Sequence, residues 1–133
     1  MSFSDYLETK VLDHVFGKIA YTMPTVYVGL STADPLDDGS GLSEPVGGAY
    51  ARVATTGATW NAAVAGAPSS INNANALTFP QATASWGTVT HFALFDAATG
   101  GNLLGSGALT AAKAVASGDT VKFDIGQLSA TLD

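Results

Sequence analysis

The chain begins with apolar positions spaced by threes and fours, then changes to short runs that alternate. Phe3, Leu7, Val11, Leu12, Val15 and Phe16 fall on one stripe, with Asp5, Glu8 and Lys10 largely off it. That spacing is the period of an amphipathic helix. Ser2 or Ser4 suits the cap, Asp5 and Glu8 suit the positive N-terminal end, and Gly17 suits the stop, so a helix is predicted within 1–17. A helix this short is marginal alone, and its stripe must pack on its own domain or on a partner.

After Pro24 the period drops to two. TVYVGL (25–30), YARVATT (50–56), INNANALTF (71–79), WGTVTHFALFD (86–96), NLLGSGAL (102–109), TVKFDI (120–125) and QLSATL (127–132) are short and mostly β-branched or aromatic, and turn residues separate them. They read as strands. About seven short strands behind one N-terminal helix predict a mainly β fold, an antiparallel β-sandwich or a partly closed barrel. The whole of 1–133 reads as a single domain, helix at 1–17 and sandwich at 25–133.

The run at 86–96 is the most patterned. Alternation puts Trp86, Thr88, Thr90, Phe92 and Leu94 on one face and Val89, His91, Ala93 and Phe95 on the other. Apolar residues on both faces mark a central strand. AATGGN supplies a turn through Gly100 and Gly101, and NLLGSGAL returns alongside.

Composition narrows the function. Only 12% of residues are charged, about half of what a soluble domain usually carries. A surface of Thr, Ser, Asn and Gly desolvates cheaply and suits permanent contact with neighbouring subunits. The five basic residues, Lys10, Lys18, Arg52, Lys113 and Lys122, are scattered in a chain of net charge −6, which argues against nucleic acid as a partner. Without cysteine there is no disulfide, thiolate metal site or cysteine nucleophile. The first eighteen residues have acids spread through them and no long apolar run, so neither a signal peptide nor a membrane span is expected there.

Candidate chemistry is sparse. His91 and Asp96 stand five positions apart on one predicted strand, on opposite faces and roughly 17 Å apart, too far for a dyad. A strand histidine more often bonds neighbouring backbone or packs at an interface, and His14, beside Asp13 on the helix, reads the same way. GLSEP (41–45) lacks the second glycine of a nucleophile elbow. TGGNLLGSG (99–107) has no Lys-Ser or Lys-Thr after it and no helix to present to phosphate. In DPLDDGSGLSEP (34–45), Asp34, Asp38 and Gly39 match three places of a calcium loop. Leu36 and Pro45 break the pattern and Glu44 comes one place early, so a solvated turn-rich loop is expected. Trp60, Trp86, Tyr27 and Tyr50 are the residues that would stack on a sugar ring, but aromatics on strands are more often core. No catalytic, cofactor-binding or metal-ligating residue is predicted.

Taken together and in order, FSDYLETKVLDHVFG, YVGLSTADP, GSGLSEP, YARV, LTFPQATASWGTVTHFALFDAATGGNLL and SGDTVKFDIGQLSATLD resemble a family of small virion-associated proteins of tailed bacteriophages. The members are described as tail-fibre-like or decoration-type. The resemblance implies a non-enzymatic structural role, with assembly in the host cytoplasm into the virion. It leaves head or tail open. The chain has no internal repeat and no shaft segment, which favours a capsid decoration (cement) protein contacting the major capsid protein. A tail-fibre or tail-adaptor component contacting tail proteins is the alternative, and a glycan-binding sandwich is a more distant one. A homo-oligomer is expected in either virion setting.

Overall fold

The computed structural model describes residues 2–132. Strand β1 (Ser2–Phe3) leads into helix α1 (Asp5–Val15), and β2 (Tyr27–Ser31), β3 (Val53–Ala54), β4 (Ser69–Asn72) and β5 (Leu77–Thr78) follow. Then come β6 (Gly87–Phe95), β7 (Leu103–Val115), β8 (Lys122–Phe123) and β9 (Ser129–Leu132). Five strands form one antiparallel sheet in the order β1-β7-β6-β2-β3, while β4 pairs with β9 and β5 with β8. The architecture is the predicted one: mainly β, antiparallel, not fully closed, with one helix near the N-terminus.

The helix starts where the sequence places it. Ser4 Oγ accepts from the Leu7 amide at 3.2 Å, and Gly17 takes a left-handed φ of 74° just past the end. The side chain of Ser2, the other candidate cap, lies outside the described residues. Phe3 belongs to β1 and not to the helical stripe, because the Phe3 register on Gly105 and the Ser4 amide bond to Leu104 hold the chain extended there.

One face of the five-stranded sheet carries the core. Val28 and Leu30 of β2, Val89, Phe92 and Leu94 of β6, and Leu104 and Val115 of β7 meet Leu77, Phe79, Trp86, Phe123 and Leu128 in a single buried cluster. Phe123 sits edge-on to Phe92 and to Phe79 at centroid distances of 6.3 and 6.2 Å. Strict alternation along β6 does not hold. Val89 pairs with Lys113 but His91 with Ala108, so Leu109–Ala112 of β7 stand opposite the single residue Thr90. This bulge resets the phase, and Val89 joins Phe92 in the core instead of facing away with His91.

Other elements differ in extent. INNANALTF is not one strand, because Asn73 leaves β4 to bridge Trp60 and the chain bends at Ala74 and Asn75 before β5. Strand β7 runs on to Val115, six residues beyond the predicted end at Leu109. YARVATT pairs only at Val53 and Ala54. Where β3 runs out, the Tyr50 hydroxyl accepts from the Leu30 amide at 3.0 Å and occupies that edge position.

Candidate functional site

The most organised polar cluster lies on the face of the sheet opposite the core. Gly29 of β2 lies between Val28 and Leu30, and Phe95 of β6 follows Leu94, so by strand alternation both positions face away from the core. Phe95 is buried, and the Arg52 guanidinium lies 3.4 Å above its ring centroid. Every nitrogen of that guanidinium has work. Nε donates to Glu44 Oε2 at 3.0 Å and Nη2 to Oε1 at 2.5 Å, while Nη1 donates to the Ala97 and Gly100 carbonyls at 2.8 and 2.9 Å. Tyr50 donates its hydroxyl proton to Glu44 Oε2 at 2.6 Å. The geometry is a bidentate, charge-assisted clasp stacked on an aromatic face.

The glycine at position 29 is what lets these groups close up. A Cβ there would lie 2.8 Å from the Tyr50 hydroxyl and 2.9 Å from a Phe95 ring carbon. Burial pushes the Glu44 carboxyl up, but hydrogen bonds from Arg52 and Tyr50 and the guanidinium charge outweigh it and hold it below its ordinary value. Burial, then the bond to Glu44, pushes the Tyr50 hydroxyl well above its ordinary value. A cation bonded through all three of its nitrogens, a carboxylate held on both oxygens and a protonated phenol join the 44–52 segment to the β6–β7 turn.

That turn has its own lock. Asp96 accepts from the Asn102 amide at 2.7 Å and from its side chain at 2.9 Å, and Gly100 and Gly101 take φ values of 58° and 69°. Burial pushes the Asp96 carboxyl up, yet the Asn102 bonds carry it below its ordinary value. A cleft of about 550 Å³ opens between the start of α1, the 37–42 loop and this turn, with Asp5, Asp37 and Asp38 along its wall.

His91 does not meet Asp96. Its nearest acid is Asp34, with Nε2 4.0 Å from Oδ2, and Nδ1 shares a 2.8 Å hydrogen bond with Thr90 Oγ1. Both line an open cleft of about 470 Å³ that Ser106 also reaches. The elements of a hydrolytic set therefore come closer together than the strand spacing suggests. The 4.0 Å separation exceeds hydrogen-bond reach, Asp34 is 62% exposed, and among the described residues no hydrogen bond joins Ser106 to His91. His14 accepts from the Tyr21 amide at 3.0 Å and so ties the segment after α1 back to the helix.

The acids of the 34–45 loop are engaged locally. Asp34 accepts from the Leu36 amide and Asp38 from the Ser40 amide, and Glu44 belongs to the arginine clasp. Among the described residues no three His, Asp or Glu side chains gather as a metal would need. Trp86 is buried and donates to the Gly48 carbonyl at 2.8 Å, and Trp60 packs against the core and donates to Thr55 Oγ1 at 3.1 Å. The two tryptophans are not an exposed pair, so the stacking platform a sugar would need is not made by them.

The sequence from residue 2 to 131 matches the family described as Podophage GP4 fiber I protein gp80. The chain belongs to that family. No curated protein matches it. The match agrees with the resemblance to phage virion proteins read from the sequence, and it assigns the protein to the virion. No helix among the described residues is long and apolar enough to cross a membrane.

No local motif marks the arginine clasp: along the chain Arg52 reads as one scattered cation, Glu44 as a calcium-loop near miss and Tyr50 as an aromatic for sugar. A signal was present. Tyr50 and Arg52 are two apart on an extended segment and share a face, Arg52 is the chain's only arginine, and an acid stands in the loop before it.

Proposed function

We propose that this protein is a non-enzymatic, fibre-type structural subunit of a tailed-phage virion, mounted at the tail. The observation that carries the reading is the family match over residues 2–131 to a protein described as a fiber. It outweighs the preference for a head decoration protein, which rested on low charge and the lack of a repeat. Both features suit any subunit fixed permanently among others.

The mechanism is contact area. The clasp of Arg52 with Glu44 and the Asp96–Asn102 lock stiffen the loops on one face of the sheet. Stiff loops bind with little loss of conformational freedom. Attachment through α1 or the polar loops at 34–48 and 61–75 needs an interface of about 1,000–2,000 Å². The side chains nearest to a catalytic set, His91, Asp34 and Ser106, lack the bonds that would activate a nucleophile.

Labelled-antibody electron microscopy of purified particles tests the location, together with copy number from a stained gel. Label confined to the tail, with tens of copies or fewer, is expected. Label spread over the head at hundreds of copies returns the protein to capsid decoration.

A further inference from the structure

The segment that joins α1 to β2 is held by few contacts. The Lys18 and Ile19 amides bond the Asp13 carbonyl at 2.8 and 3.4 Å, which closes the end of the helix. Farther on, the Tyr21 amide donates to His14 Nδ1 at 3.0 Å. Among the described residues, 20–25 make no other hydrogen bond. Apolar burial adds little, since Ile19 is 60% exposed and Met23 89%. Within 17–25 only Tyr21 and Pro24 are half-buried.

Tyr21 pulls both ways. Its ring is tucked in, but its hydroxyl is shielded from water and has no hydrogen-bond partner among the described residues. Burial, then the nearby Tyr6 and Asp96, raises the pKa of that hydroxyl above its ordinary value. A buried donor without a partner favours any arrangement that lets it bond water, so the hydroxyl opposes closure. The amide bond to His14 supports closure.

That bond exists in one protonation state. A backbone amide only donates, so Nδ1 must offer its lone pair and the ring proton must sit on Nε2. An imidazolium carries a proton on both nitrogens, and Nδ1 then becomes a second donor facing the amide. Imidazole is the side chain that changes charge between about pH 8 and pH 5. The charged groups beside His14 are Lys10 and Asp13 on the helix and Lys18 on the segment itself, none of them an imidazole. Around the Tyr21 ring, Asp96 is held below its ordinary value and the phenol above it, so both keep their charge state over that range.

We infer that His14 is an acid-released latch: its neutral imidazole holds residues 20–24 against the end of α1, and protonation lets them go. Release withdraws Tyr21 from beside Tyr6 and Asp96 and frees the chain between α1 and β2. The core stays intact, because 17–25 contribute no residue to it. The latch is a property of the chain itself and does not depend on whether the virion carries the protein on the tail or on the head.

Backbone order parameters from NMR relaxation of the full chain, at about pH 8 and about pH 5, test it. Amides 20–23 should stand at about 0.85 at the higher pH and fall below about 0.6 at the lower, while those of β6 hold their values. In His14→Asn the side-chain oxygen takes the place of Nδ1 as an acceptor that acid does not remove, so the segment should stay ordered at both pH values. In His14→Phe it should be mobile at both. His91→Ala, which removes the other histidine, should respond as the unaltered chain does. The ring nitrogen shifts of His14 should show the Nε2–H tautomer at the higher pH. A segment equally ordered at both pH values, or already mobile at the higher one, overturns the inference. So does an acid response that survives in His14→Asn or disappears in His91→Ala, or an ordered segment in His14→Phe.

Discussion

Arg52 holds both carboxylate oxygens of Glu44 while its guanidinium lies flat on the Phe95 ring. The arginine side chain is 5% exposed and the glutamate 20%. Removing one member of a buried ion pair leaves the other desolvated without a partner. Arg52→Ala also frees the Ala97 and Gly100 carbonyls. It should lower the unfolding free energy by about 2–4 kcal/mol, below the usual range for a buried pair because Glu44 keeps some contact with water. Urea denaturation of both proteins measures it. Arg52→Lys should recover only part, since an ammonium cannot make the bidentate contact or the flat stack.

The same carboxylate makes stability depend on pH. Glu44 titrates below its ordinary value of 4.5 in the folded chain, so its stabilisation is complete above that pH and is lost as pH falls through the lower folded value. Asp96 is shifted the same way and adds to the acid limb. Thermal melts from neutral pH to pH 3 should show a falling midpoint whose slope is shallower in Glu44→Gln. An equal slope in that variant would assign the acid sensitivity to other carboxylates.

Asn73 is fully buried, yet none of its polar atoms lacks a partner. Its side-chain nitrogen donates to the Asn75 and Asp124 carbonyls, its side-chain oxygen accepts from the Leu128 amide, and its main chain bonds Leu128 and Gly126. Asn73→Ala leaves three backbone groups without that partner. The expected loss is about 2–4 kcal/mol, because each buried group left unpaired costs about 1–3 kcal/mol and water can reach some of them. Hydrogen exchange at the Leu128 amide is the direct readout, and it should speed up in the variant.

His91 is predicted to be dispensable. Its approach to Asp34 is 4.0 Å, toward an exposed carboxylate, and among the described residues its side chain hydrogen-bonds only the adjacent Thr90. His91→Ala should change stability by about 1 kcal/mol or less and leave the yield of infectious particles unaltered. A large loss of infectivity with normal stability would show that the cleft beside it is used.

What could be read from residue order was everything set by neighbours along the chain. The Ser4 cap, the Gly17 stop, the Asp96-to-Asn102 turn with its two glycines and the central position of 87–95 all follow from local spacing and backbone preference, and all appear in the structure. The phage family resemblance was legible for the same reason, since it lies in ordered local motifs. Three features were decided only when distant segments met. The four-residue excursion of β7 opposite Thr90 moved Val89 to the core face, because pairing register depends on both strands and neither shows it alone. Arg52 reached Glu44 and Phe95 only because β2 and β6 are adjacent and position 29 has no side chain in the way. The helical stripe announced that it must pack, but only the tertiary arrangement showed that its second half remains uncovered, because α1 meets the body of the protein near its start and its far end extends past it. Periodicity states which face is apolar; contact between segments determines what that face touches.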